Sequence, residues 1–340
     1  MESVLGMDVS KDRLDVVLIH AGRQQYKIFA NNAAGHSHLH NWLVSQRSGS
    51  VHACLEATGQ YGEGVAEYLH QQGYLVSVVN PARIKHYGES KLHRNKTDKA
   101  DAALIAEFCQ KENPALWAPL PAEVKHLRAL VRRLDDLQTA FQQERNRTLA
   151  GEQNAWVLED LKAHLSYLQD RIRAARQALQ QHIDQHPSLK AQQELLISIP
   201  GIGQLTAARL LAEIGDISTF DDAPQLAAYA GLNPKGFRSG SSVHKKTHIS
   251  KQGRAFLRYI LYMPAIVARH HNPIIMEFCK RLADRRLAEM AIVVAAMWKL
   301  IHIVFWVLKS QRSLTPIMAS NLLLGFDIQD GAYYLYGTFY

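Results

Sequence analysis

Four acidic residues in the first third of the chain have the spacing of a site for divalent cations. Asp8 and Glu56 each end a short apolar run that predicts a strand, and Asp98 and Asp101 stand three residues apart in a helical pattern. Neighbouring strands end at one edge of a sheet, and positions i and i+3 share one face of a helix. Converging carboxylates repel unless hard cations bind among them, and Mg²⁺ is the usual ion. Two ions about 3.5 to 4 Å apart can stabilise the attacking and leaving oxygens of phosphodiester chemistry. Taken singly, Asp8 also fits a turn and Asp98 a helix cap.

The elements that must position these acids are predicted to form a mixed sheet with helices packed on it. Short apolar runs bounded by turn residues predict a meander of three strands, then a strand, a helix and another strand, over residues 4–9, 14–20, 25–30, 51–55, 62–72 and 74–79. Further helices are predicted over residues 35–46 and 97–111. This order favours an α/β domain with a ribonuclease H-like sheet.

The rest of the chain is predicted to be mostly helical. From residue 123 to about 186, Gly and Pro are almost absent and leucines recur at alternating spacings of three and four, the pattern of a coiled coil. Gly151 interrupts it, which fits an antiparallel helical hairpin or an assembly arm. Further on, the turn of residues 199–203 has a helix-hairpin-helix form, in which Gly201 and Gly203 let backbone N–H groups approach a phosphate. The same glycines also suit a packing turn between two core helices.

The charge distribution favours a polyanionic partner. The 340 residues carry a formal charge of +8, and residues 223–276 contain no Asp or Glu. Solvated surfaces normally mix both signs, so this exclusion of acids indicates contact with nucleic acid. The candidate contacts in this segment are Lys235, Arg238, Lys245, Lys246, Lys251 and Arg254. A second basic cluster near the acids comprises Arg83, Lys85, Arg94 and Lys96.

A candidate nucleophile lies inside the acid-free segment, where residues 238–242 read Arg-Ser-Gly-Ser-Ser. A serine hydroxyl attacks poorly until its proton is removed, and a bound metal with nearby Arg or Lys can activate it toward phosphorus. By motif alone, the segment is a flexible loop.

Six longer motifs occur along the chain. They are GMDVSK at residues 6–11, CLEATGQY at 54–61, VVNPARIK at 78–85, NKTDKADAALIAEF at 95–108, SIPGIGQLTAARLLAEIGD at 198–216 and FDDAPQLAAYAGLNPKGFRSGSSVHK at 220–245. Together these motifs resemble the DEDD transposases of the insertion-sequence "one-ten" family, to which the Piv DNA invertases are related. The motifs occur in the family's order and cover nearly the whole chain.

The resemblance implies a RuvC-like catalytic domain over residues 1–118, a coiled-coil arm over 119–188 and a C-terminal transposase domain over 189–340. It implies that Asp8, Glu56, Asp98 and Asp101 hold Mg²⁺, with two ions per site, and that Ser239, the first serine of SGSS, joins covalently to DNA. It also implies a tetramer and a structured RNA, encoded by the element, that selects donor and target DNA.

Two other functions remain open from the residues. A junction-resolving nuclease would use the same acids with water as nucleophile, and a non-catalytic protein would bind DNA with the hairpin turn and basic segment alone. No apolar run near the N-terminus is long enough for a signal peptide, so we expect action in the bacterial cytoplasm. The apolar stretch 291–308 contains Lys299, which favours a buried core helix over a membrane span.

Overall fold

The chain divides into two compact units, residues 1–119 and 120–340. The computed structural model describes residues 3–57, 59–91, 97–151, 154–239 and 243–314, without the side chains of residues 60 and 236–247. The long helices around residue 150 belong to the second unit. The division of that unit into an arm and a C-terminal domain stays a prediction.

The first unit contains a five-stranded mixed sheet of strand order β3-β2-β1-β4-β5. The strands are β1 (Ser3–Val9), β2 (Arg13–His20), β3 (Arg23–Ala30), β4 (Val51–Glu56) and β5 (Leu75–Val79). The first three form an antiparallel meander, whereas β4 runs parallel to β1 and to β5. The predicted mixed sheet is therefore confirmed.

Helices cover both faces of this sheet. They are α1 (Ala33–Ser45), α2 (Glu63–Gln71), α3 (Pro81–Ser90) and α4 (Asp98–Glu112). Side chains alternate along each strand, so one set of apolar residues packs under α1 and α2 and the other under α3 and α4. Helix α3 was not predicted, although Asn80 caps its first turn and Pro81 occupies its first position.

The second unit contains eight helices and one strand pair among its described residues. The helices are α5 (Ala122–Leu149), α6 (Ala155–Gln185), α7 (Pro187–Ile197), α8 (Gln204–Ile214), α9 (Ala223–Tyr229), α10 (Ala255–His271), α11 (Pro273–Asp284) and α12 (Glu289–Ser310). Contacts of Glu123 with His182 and of Glu144 with His164 show that α5 and α6 run antiparallel. The inner half of this pair packs into the same core as the later helices.

The prediction of a loop over residues 238–242 was wrong for Arg238 and Ser239, which lie in a strand. Strands β6 (Pro234–Ser239) and β7 (Val243–Ile249) pair antiparallel, and the three residues between them lie outside the described residues. Backbone hydrogen bonds from Ser250 to Asn233 and from Lys251 to Gly231 extend the pairing at its base. Residues 243–249 include β-branched positions, which favour extended backbone.

Helix α12 is long and apolar enough to cross a membrane, but 78% of its most apolar window is buried inside the unit. Its residues join the core formed by α7 to α11. This is the burial expected of a core helix. The cysteines Cys54, Cys109 and Cys279 are buried free thiols.

Candidate active site and nucleic-acid surface

Asp8 and Glu56 lie side by side at one edge of the sheet. β1 and β4 are parallel with Met7 opposite Leu55, so the residues that follow these two reach the same carboxyl-terminal edge. Met7 and Leu55 pack under α1 and α2. Because successive side chains alternate, Asp8 and Glu56 belong to the opposite face, which α3 and α4 cover.

Helix α4 reaches this edge because Gly6 lets it lie directly on β1. A Cβ at Gly6 would stand 2.2 Å from the Ala102 carbonyl oxygen and 2.3 Å from the Ala106 nitrogen, far inside ordinary contact. Gly6 is on the same face as Asp8, two residues before it. The close approach therefore brings the first turn of α4, with its two acids, over the end of β1.

The carboxylates act on one another electrostatically. Burial is the largest influence on Asp8 and raises its pKa above the ordinary value. The negative charges of Asp101 and Asp98 raise the pKa of Asp8 further, followed by that of Asp15. Asp98 and Asp101 are thus close enough to Asp8 to repel it electrostatically. The fourth predicted acid, Glu56, is the neighbour of Asp8 across the parallel strands β1 and β4.

The acidic edge has a basic partner, Arg13, that was not predicted. Arg13 pairs with Asp98, and its Nε donates to Asp15 at 2.7 Å. Asp15 stands opposite Asp8 in the β1–β2 register, is only 2% exposed, and accepts a 2.5 Å hydrogen bond from the Tyr26 hydroxyl. Arg13 and Tyr26 are neighbours of this edge that were not predicted. Asp15, an acid inside the predicted strand 14–20, was a weaker candidate for the site from the sequence.

The donor chemistry of the edge fits Mg²⁺, which prefers carboxylate oxygens. The repulsion that acts on Asp8 is what a cation would relieve. Within the described ranges, however, no three His, Cys, Asp or Glu side chains are placed to hold an ion. The residue types therefore suit such an ion, but the described side chains are not arranged around one, and Arg13 engages Asp98.

Ser239 is the last residue of β6, opposite Val243 of β7. Arg238 precedes it, opposite His244, and Lys245 faces Phe237. The hairpin therefore brings basic residues of both strands close to Ser239 in the backbone. The acids and Ser239 belong to different compact units.

The predicted basic contacts are distributed over several elements. Arg83 and Lys85 are exposed on α3, and the Arg83 guanidinium lies 5.3 Å from the Phe108 ring. Lys235 is exposed on β6, and Lys251 is exposed beyond β7. Backbone positions alone are described for Arg238, Lys245 and Lys246, and Arg94 and Lys96 lie outside the described residues.

The two glycines of the predicted helix-hairpin-helix turn differ in their surroundings. A Cβ at Gly201 would meet the Ala268 side chain at 2.9 Å and the Pro264 carbonyl oxygen at 3.0 Å. Gly201 therefore packs against α10, as in the packing alternative. Gly203 is the N-cap of α8, and nothing lies within 4 Å of its Cβ position.

Carboxylates at a sheet edge and a basic segment free of acids form a combination suited to phosphodiester chemistry on a polyanion. Two family models match the chain. One, described as "Transposase IS116/IS110/IS902 family", matches residues 193–280, and a second, for the DEDD transposases of IS110, matches residues 5–150.

Similar proteins extend over most of the chain. The Pilin gene-inverting protein of Moraxella bovis is 34% identical over 314 residues, which cover 92% of this chain and 97% of that protein. The transposase for insertion sequence element IS1111A of Coxiella burnetii is 25% identical over 296 residues, covering 79% of this chain and 78% of that protein. The chain therefore belongs to the IS116/IS110/IS902 family of transposases, and it is an enzyme that cleaves and rejoins DNA.

Proposed function

We propose that this enzyme recombines DNA through a covalent phosphoserine link made by Ser239, assisted by Mg²⁺ at a RuvC-like acidic edge. The observation that carries the proposal is the placement of Asp8 and Glu56 side by side, under the two first-turn acids of α4. Asp8, Glu56, Asp98 and Asp101 are the residues that would hold the ions, two per site. Bound there, Mg²⁺ would offset charge on the reacting phosphate.

The serine step exchanges one phosphate ester for another. The Ser239 oxygen forms a bond to phosphorus and loses its proton, while the bond from phosphorus to the 3′ oxygen breaks and that oxygen gains a proton. The products are a 5′-phosphoserine and a free 3′-hydroxyl. Because the number of phosphate ester bonds is unchanged, a second 3′-hydroxyl can reverse the step and reseal a strand without ATP. Arg238, adjacent to Ser239, is suited to stabilise charge on the phosphate.

We propose donor and target DNA as substrates, because one relative is named for inverting a gene and another for moving an insertion sequence. A structured RNA encoded by the element would select them by base pairing. The long segment without acids supports this role, since backbone contacts suffice when pairing reads sequence. The acids and Ser239 lie on different units, so a tetramer that shares sites between chains is part of the proposal.

The test looks for protein-linked DNA on a denaturing gel. The full chain is incubated with Mg²⁺, DNA carrying the ends of its own element, and RNA transcribed beside its gene. Wild type is compared with Ser239→Ala, with Ser241→Ala and Ser242→Ala as matched controls in the same segment. We expect an adduct that only Ser239→Ala abolishes, and that Asp98→Asn with Asp101→Asn also abolishes while DNA binding persists.

Other outcomes identify a different chemistry. Strand cleavage without an adduct would make water the nucleophile and support the junction-resolving nuclease. An adduct that survives Ser239→Ala but disappears in a control variant would move the nucleophile to that serine. Full activity of the Asp98→Asn, Asp101→Asn variant would refute the acidic site.

A further inference from the structure

Glu213 near the end of α8 is a buried carboxylate surrounded by arginines. Its side chain is only 2% exposed. The Arg132 Nη2 lies 3.8 Å from Glu213 Oε1, and the Arg254 Nη1 lies 3.7 Å from Oε2. Both separations exceed hydrogen-bond length, and Oε1 accepts no hydrogen bond. Glu213 therefore attracts these two guanidiniums electrostatically but forms no direct hydrogen bond with either.

A third arginine joins this cluster from α5. The Arg128 Nε donates to the Ala212 carbonyl oxygen at 2.8 Å, which holds its guanidinium at the end of α8. Burial lowers the pKa of Arg128, Glu213 opposes that effect, and the positive charges of Arg254 and Arg132 lower the pKa further. The three guanidiniums thus repel one another around a single carboxylate.

Among the described residues, Asp135 lies close enough to Glu213 for the two carboxylates to repel each other. Asp135 is the next acid along α5 on this side, and it is paired with Arg209, which also donates to Gln138. The cluster of Arg128, Arg132 and Arg254 around Glu213 therefore carries a net positive charge of two.

The excess charge is open to solvent. The side chains of Arg132 and Arg254 are 53% and 42% exposed, whereas Glu213 is enclosed beneath them. The Arg254 guanidinium also lies 5.5 Å from the Tyr229 ring, which restricts its position. Planar guanidiniums held in place bind phosphate oxygens through paired hydrogen bonds.

We propose that Arg128, Arg132 and Arg254 form a binding site for a backbone phosphate of nucleic acid, with Glu213 as the positioning residue that holds the guanidiniums together. The proposal rests on the proposed function for its ligand. It adds Arg128 and Arg132 to the nucleic-acid surface, although their helix was predicted from sequence only as part of the arm. A phosphate supplies the negative charge that the cluster lacks.

The experiment measures binding of the full chain to a labelled DNA duplex as a function of salt. The logarithm of the binding constant falls as the logarithm of the salt concentration rises, and each lost phosphate contact makes this negative slope shallower by about 1. We expect this loss for Arg132→Gln and no loss for the matched control Arg133→Gln, which removes an exposed charge from the next position of α5. Arg132→Lys keeps the charge and is expected to keep the slope. Thermal unfolding of each variant checks the fold. If Arg132→Gln unfolds, Arg254→Gln replaces it, because the loss of this half-exposed guanidinium is expected to change the slope in the same way.

Equal slopes for Arg132→Gln and Arg133→Gln would overturn the site. Calorimetry with inorganic phosphate separates the two sources of the ligand. Binding of inorganic phosphate that requires Arg132, with an unchanged DNA slope, would assign the site to free phosphate and overturn a backbone role. An adduct at Ser239 with unchanged slopes refutes this site alone, whereas a changed slope without any adduct refutes the proposed function alone.

Discussion

Gly6→Ala is expected to move α4, with its two acids, away from the acidic edge of the sheet while the first unit stays folded. The new Cβ would stand 2.2 Å from the Ala102 carbonyl oxygen, about 1.2 Å short of the 3.4 Å at which ordinary contact begins. The atoms it meets are helix backbone, so α4 itself must move away from β1. Overpacking of this kind costs about 1 to 3 kcal/mol, a loss of a few degrees or more in melting temperature. A displacement of about 1 Å at catalytic groups can lower the rate on the order of a hundredfold.

The assay compares strand cleavage, DNA binding and thermal unfolding of Gly6→Ala with those of Gly64→Ala. Gly64 lies in α2 of the same unit, and its Cβ would meet only the edge of the His36 ring at an ordinary 3.6 Å. We expect Gly64→Ala to behave like wild type, and Gly6→Ala to bind DNA but cleave it about a hundredfold more slowly. Wild-type cleavage by a folded Gly6→Ala enzyme would show that the distance from β1 to α4 does not position the reacting groups.

Three further predictions concern ionisable side chains that the proposed chemistry does not use directly. Tyr26→Phe removes the hydroxyl that donates to Asp15 and is expected to lower the free energy of unfolding in urea by about 1 kcal/mol, a modest loss because the ring is partly exposed. An unchanged urea midpoint would contradict this prediction. A hydrogen bond from His164 lowers the pKa of Glu144, so its stabilisation is present above the ordinary value of 4.5 and is lost as pH falls below it. Glu144→Gln should therefore reduce the fall of the melting temperature with decreasing pH below 4.5. Parallel curves of melting temperature against pH for wild type and Glu144→Gln would refute the stabilising role of Glu144. Burial lowers the pKa of Lys299 to about 8, so the unfolded chain binds more protons and stability rises with pH between about 8 and 10.5. Lys299→Met is expected to raise the melting temperature at neutral pH and to lose that advantage above pH 10.5. An unchanged melting temperature at neutral pH would show that the buried ammonium does not destabilise the fold.

The sheet and its acidic edge could be predicted because both depend on local patterns. Apolar runs ended by turn residues located all five strands to within two residues at their ends. The order of the elements then made β1 and β4 neighbours, which brought Asp8 and Glu56 to one edge. Helix α4 was predicted from the same kind of pattern. The role of Gly6 was not, because a close approach of two elements leaves no periodic signal.

Long-range pairs explain most of what was missed. Arg13 and Asp98 are 85 residues apart, and no local spacing links them. Arg132 and Glu213 lie on different helices, so the periodicity of α5 indicated only its apolar face. The pairing of β6 with β7 was missed for another reason. Seven of the 13 residues in the two strands are Lys, His, Gly or Ser, a composition that resembles a loop.

Ion pairs leave a net charge on one cluster in each unit, and the two net charges have opposite signs. In the first unit, Arg13 neutralises part of the acidic edge, and the repulsion left on Asp8 favours a cation. In the second unit, Glu213 neutralises part of an arginine cluster, and the excess favours an anion. In the proposed chemistry, a divalent cation would bind at the acidic edge and a nucleic-acid phosphate at the arginine cluster, and metal-assisted strand exchange requires both ligands.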